Sequence, residues 1–321
     1  MLHNILITGA SGYLGGTLLA RWKSAQLPPY GTLYALVRGE DQAQAVKSYG
    51  ATPLILDLKD SGQVIQQIID REISIIFFLI DAYGDGHQKT MIQARHAGVS
   101  TDKPLLDNDP ELYDILKRTV SPHEWFAQAV RTNLSVIDTA EANDVRSYIF
   151  APCMVYGEGD GFGNRTSIQD VTIVDNDDPV WPVCHVVDTT NLYLQILRRA
   201  LQGADIGYGH RGFYLAASGS MRWNDVYKAF AEALAIRGIV DNAKVEQADD
   251  TVLERIGEVL GVSPSSVPVL IGGKCTFTAV HGNEIGWKAE YPPEHILETA
   301  DAEVELILKT LDSRGSKATI R

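Results

Sequence analysis

The chain has 321 residues, of which 45% are hydrophobic, enough for a sizeable core in one large domain or two closely joined ones. A formal net charge of −13 at pH 7 argues against nucleic acid or an anionic membrane as partner. The longest apolar run, Ile75–Ile80, is too short to cross a bilayer, and three dispersed cysteines (Cys153, Cys184, Cys275) suggest neither a disulfide framework nor a zinc site. No metal site is expected.

The first predicted element is a strand over Asn4–Thr8, so no signal peptide is expected ahead of it and the cytosol is the expected compartment. The strand runs into Gly9, Gly12 and Gly15, spaced G-x-x-G-x-x-G, and an amphipathic helix follows over Leu14–Ser24. A strand, a glycine turn and a helix in that order make a dinucleotide site. Glycine lets the turn fold tightly and lets a pyrophosphate approach the backbone. The helix start near Tyr13 offers unpaired N–H groups and a positive dipole end to that phosphate. Gly9, Ser11, Gly12, Tyr13 and Gly15 are therefore the candidate cofactor residues.

Strands are predicted next over Thr32–Val37, Thr52–Leu56 and Ser74–Ile80, with helices Asp41–Ser48 and Gly62–Arg71 between them. This alternation implies an α/β fold with a doubly wound parallel sheet of Rossmann type. Arg38 ends the second strand, where NAD-specific sites carry an acid. Its guanidinium suits a 2′-phosphate, so NADP is favoured, with NAD as the alternative. Asp57 and Leu58 close the third strand, where a carboxylate can meet the adenine; a plain loop aspartate is the competing reading.

The segment from Asp81 to Val120 is polar and shows no strand. Within it, Tyr113 and Lys117 stand four apart, on one helix face. There the lysine would lower the phenol pKa and bind the nicotinamide ribose, and Tyr113 would be the general acid/base. A long helix is predicted over His123–Asn143 and a strand over Ser147–Ala151. A loop follows over Gly157–Asp178, then a short strand Val183–Val187 and a helix Thr189–Leu201 capped by Asp188. Cys153, Tyr156 and Trp181 are candidate substrate-pocket residues, each with a packing role as the plain alternative. Further on, helices are predicted over Arg222–Arg237 and Thr251–Leu260. A last one opens at Pro292-Pro293, with Ile296, Ala300, Val304 and Leu308 on one face. Residues 1–155, completed by 183–202, are assigned to the cofactor domain and 156–321 mainly to a smaller C-terminal substrate domain.

Taken together, the chain resembles the extended short-chain dehydrogenase/reductase family, and more narrowly the fungal proteins labelled NAD-dependent epimerase/dehydratase-like. The matching pieces are Thr8–Gly16, Leu36–Arg38, Asp57-Leu58, Pro104–Asp107, Tyr113–Lys117, Ser147–Gly163, Trp181–Asp188, Gly272–Thr278, Gly286–Lys288 and Tyr291–His295. The resemblance implies an oxidoreductase using NADP or NAD on a small-molecule substrate, and leaves a homodimer open. Two departures stand out. The family's catalytic serine or threonine lies on a strand before the tyrosine helix, and none is read between Ile80 and Ser147. In an alternative register Pro152-Cys153 takes that serine's place and no Tyr-x-x-x-Lys follows. Two further readings are a non-catalytic NAD(P)-binding redox sensor of the NmrA-like type and a nucleotide-sugar epimerase or dehydratase.

Overall fold

The computed structural model describes residues 2–80, 105–119, 124–165, 179–260, 263–268, 272–275 and 277–314. Its first half alternates β1 (Asn4–Ile7), α1 (Tyr13–Arg21), β2 (Leu33–Val37), α2 (Glu40–Ser48), β3 (Thr52–Ile55), α3 (Ser61–Asp70) and β4 (Ile73–Phe77). The four strands are parallel in the order β3-β2-β1-β4, with Ile5 opposite Leu33 on one side and Ile75 on the other. Ile5, Leu6 and Ile7 are all buried, as a central strand covered on both faces requires. Parallel neighbours need crossover connections, which the helices supply.

Most of the polar stretch lies outside the described residues. Its described end holds α4 (Leu112–Arg118), which buries Leu112, Tyr113 and Leu116. The predicted long helix is α5 (Glu124–Ala142). It leads to β5 (Ile149–Pro152), which pairs in parallel with β8 (Phe213–Ala216). Among the described residues β4 pairs only with β1 and β5 only with β8.

A second, smaller sheet holds β6 (Met154–Tyr156), β7 (Val180–His185) and β9 (Gly219–Arg222), with β6 parallel and β9 antiparallel to β7. Helix α6 (Val186–Leu201) follows β7 directly and packs on α1. It starts earlier than predicted, and its cap is not Asp188. His185 caps it by accepting from the Val187 N–H, while the Asp188 carboxylate accepts from the backbone N–H groups of Glu290 and Tyr291.

The chain continues through α7 (Trp223–Ile236), α8 (Asp250–Leu260), α9 (His281–Glu284), α10 (His295–Glu298) and α11 (Ala300–Arg314). Ile296, Ala300 and Val304 are buried against Val226 and Phe230 of α7, as their spacing predicts, although Thr299 divides the expected last helix into α10 and α11. No helix among the described residues is long and apolar enough to cross a membrane.

Candidate dinucleotide site

The glycine turn closes on itself. Gly9 takes φ 65°, a left-handed backbone that costs glycine little, and a Cβ there would lie 2.5 Å from the Leu79 carbonyl oxygen. The Gly12 N–H donates to the Gly9 carbonyl, and a Cβ on Gly15 would fall 2.2 Å from that same oxygen. Gly12 is the N-cap of α1 and brings no side chain to it. The first-turn N–H groups of α1, which have no partners within the helix, are left for an outside acceptor. A phosphate oxyanion is the ligand such donors hold. The residues present therefore fit a dinucleotide pyrophosphate.

A second glycine-rich segment buttresses the turn. Gly161 packs on Gly16, the Asn164 N–H donates to the Ser11 carbonyl, and Gly163 lies so close that a Cβ would come within 2.0 Å of that oxygen. Tyr13 donates its hydroxyl to the Gly157 carbonyl, and burial pushes its pKa up, so the phenol stays protonated and anchors the loop. Only its backbone remains for a cofactor.

Arg38 follows β2 and is exposed; its own N–H donates to Gln42, and its guanidinium makes no hydrogen bond or ion pair among the described residues. The other adenine-side candidates, Asp57 and Leu58, follow β3. Strand β3 ends at Ile55, and the Asp57 carboxylate accepts from the Lys59 N–H in a tight turn that leads to Asp60, the N-cap of α3. Leu58 packs beside Leu6, Leu36 and Leu54. Both residues thus have local structural tasks.

Tyr113 and Lys117 do meet, with Nζ 3.2 Å from the phenol oxygen. The Tyr113 hydroxyl donates to Asp138, and its ring stacks on His210 at 3.6 Å. The neighbouring Gly209 N–H bonds to the Ser147 carbonyl, just before β5 begins. The far end of β5 leads through β6 to Gly157, which touches Tyr13. Tyr113 thus lies near the chain that enters β5, while Gly157 and Tyr13 meet beyond the far end of β5 and β6. The expected effect on acidity is reversed: burial and the bond to Asp138 raise the phenol pKa and outweigh Lys117, which lowers it.

Of the pocket candidates, Cys153 donates its thiol to the Ala216 carbonyl at 2.7 Å, and burial holds it protonated. Tyr156 is fully buried, with its hydroxyl 3.2 Å from His295 Nδ1, so it packs rather than lines a cleft. Trp181 is partly exposed and lies against Trp223 in the cluster around Met154.

The sequence reading missed a cluster around Gly157. Its N–H donates to Glu303 Oε1 at 2.8 Å, and a Cβ there would lie 2.2 Å from His185 Nε2. Burial and the neighbouring His295 lower the His185 pKa to about 4, and burial raises that of Glu303 to about 7. Because the folded value for Glu303 exceeds its ordinary 4.5, the stability it contributes is fully present below about 4.5 and is lost as pH rises through 7. The shift corresponds to about 3 kcal/mol. Glutamine keeps an acceptor for Gly157 and carries no charge. Glu303→Gln is expected to match the parent near pH 4 and to exceed it at pH 8 by up to about 3 kcal/mol. His185 acts oppositely, losing stability as pH falls from 6.5 through about 4, but it is common to both proteins. Thermal melts at the two pH values check this; equal stabilities at pH 8 would count against it.

No family model matches the sequence, and no curated protein matches it. Solved structures do. The dTDP-glucose 4,6-dehydratase of Bacillus anthracis, solved in complex with NAD, is 10% identical, with TM-score 0.61 over 98% of this chain and 100% of its own. The chain has its fold. The same holds for the UDP-glucose 4-epimerase of Thermotoga maritima, solved with UDP-glucose (13% identity, TM-score 0.60, 96% and 99% covered). It holds also for the PbgP3 protein of Burkholderia pseudomallei (12% identity, TM-score 0.64, both chains covered in full). Likeness at this level of identity is likeness of fold, and that fold is of the Rossmann type.

Proposed function

We propose that this chain binds NADP(H) across Gly9–Gly15 and works as an oxidoreductase on a carbonyl or secondary alcohol of a small organic molecule. The observation that carries the reading is the glycine turn, with open first-turn N–H groups and no side chain at Gly12 to cover them. A bound nicotinamide dinucleotide would supply or accept the hydride. Ser11 and Gly12 would pass the pyrophosphate to the start of α1, and Arg38 would pair with the 2′-phosphate. The dehydratase structure, solved with NAD, favours the same cofactor class, and the epimerase structure, solved with UDP-glucose, makes nucleotide-sugar chemistry the nearest alternative reaction.

A second reading, a redox sensor that binds NAD(P) without turning it over, is favoured by the place of Tyr113 and by the Cys153 thiol being tied to Ala216. Two measurements test these readings, one for cofactor choice and one for turnover. Arg38→Ala should lose about 1.5–3 kcal/mol of NADPH affinity and spare NADH, the scale of a charge-assisted hydrogen bond. Equal losses for both cofactors in a calorimetric titration would reject NADP selection. The parent should then oxidise NADPH on a carbonyl panel; intact binding with no turnover on any member would leave the sensor reading standing.

A further inference from the structure

A cavity of 420 Å³ lies away from the glycine turn, at the opposite end of the parallel strands. Its location follows from His281, whose Nδ1 is 2.8 Å from the carbonyl of Phe213, the first residue of β8. A carbonyl only accepts, so Nδ1 carries a proton, and in the neutral ring Nε2 is the acceptor. Gly207 leaves that ring edge uncovered: a Cβ there would sit 3.2 Å from Nε2 and 2.6 Å from the Arg211 carbonyl oxygen.

Two guanidiniums line the same space. Arg199, in the last turn of α6, has its Nε–H shielded from solvent with no acceptor among the described residues. A buried donor left in this way points to an acceptor that the protein does not supply. Arg211 is largely exposed, and its nearest carboxylate oxygen, on Asp205, is 3.7 Å away, beyond a hydrogen bond. The acids of the cavity are Asp205, which stands opposite Arg211 in a loose ion pair, and Glu284. Asp205 accepts from the Gly207 N–H, and Glu284 accepts from the Asn108 amide at 2.6 Å. Arg199 Nη1 donates to Gln202, and neither guanidinium has a bidentate carboxylate, the partner by which an arginine fork is usually filled.

We propose that this cavity is a second ligand site, for a small hydroxylated oxyanion: a sugar phosphate or a hydroxy acid. The anionic end meets Arg199 and Arg211, and a hydroxyl donates to His281 Nε2. The volume falls within the roughly 300–1,000 Å³ of small-molecule sites. Because β5 and β8 run between the two ends, occupancy does not compete with the dinucleotide.

Calorimetry on the full chain with glycerol 3-phosphate, glycerate and inorganic phosphate tests the assignment. One of the two hydroxylated compounds should bind more tightly than inorganic phosphate, and which one identifies the anion as phosphate or carboxylate. Arg199→Gln and Arg211→Gln should each weaken that binding about tenfold or more. Arg211 is exposed, so its variant keeps the fold even if the Arg199 variant does not; thermal melts establish this. The site is overturned if neither compound binds, if inorganic phosphate binds as tightly as both, or if the folded Arg211→Gln protein binds as the parent does.

Discussion

Gly12→Val is expected to fold normally and to bind NADPH at least about a hundredfold more weakly than the parent, a loss of about 2.7 kcal/mol or more. The two halves of this expectation rest on different distances. Gly12 has φ −81° and ψ 171°, an extended backbone that a β-branched residue adopts readily. Its Cβ would meet only the Gly9 carbonyl, at 3.2 Å, which a small adjustment accommodates. The valine methyls would then stand over the first turn of α1, where the pyrophosphate must come close. Gly15 does not separate binding from folding in this way, because its Cβ would lie 2.2 Å from the Gly9 oxygen and force the turn itself apart. Calorimetry and a thermal melt on Gly12→Val decide the matter. Normal affinity in a folded variant would mean that the phosphate binds elsewhere.

The features read correctly from the sequence are those encoded locally. Ile5–Ile7 is a short apolar run that ends in glycines, and both the central strand and the turn after it follow from backbone sterics and burial. The pairing of Tyr113 with Lys117 was legible for the same reason, since residues four apart share a helix face. What that face looks at was not legible. It is set by Asp138 and His210, whose approach depends on how α5 and the segment before β8 pack.

The helix cap shows the same boundary. Aspartate is a good cap by type, yet Asp188 is drawn to the backbone of Glu290 and Tyr291 and leaves the cap to His185. Strand β8 escaped notice because Phe213–Ala216 is buried throughout and has no alternation to read. The Gly157–Glu303 contact joins residues 146 apart, which no local pattern announces.

The largest loss of stability is expected from Asp107→Ala. Asp107 is buried, and its carboxylate is spent on three backbone groups: Oδ1 accepts from the N–H of Val280 (2.6 Å) and of His281 (2.9 Å), and Oδ2 from that of Leu215 (2.9 Å). One side chain thus fixes the approach to α4, the middle of β8 and the start of α9. Burial raises its pKa, and the three N–H donors oppose that rise without cancelling it, so they offset part of the cost of burying the charge. Alanine would leave three donors without an acceptor in a site closed to water. Each such group costs about 1–3 kcal/mol, and removing one partner of a buried charged network typically costs roughly 3–5 kcal/mol. That is a large share of the roughly 5–15 kcal/mol that holds a domain folded. Asparagine keeps one carbonyl oxygen. Placed at Oδ1 it still serves Val280 and His281 but turns an amide N–H₂ toward Leu215, so Asp107→Asn should fall between the parent and Asp107→Ala. Urea unfolding of the three proteins at pH 7 measures the series. An Asp107→Ala midpoint within experimental error of the parent would show that the three N–H groups find other acceptors and that Asp107 does not hold these elements together.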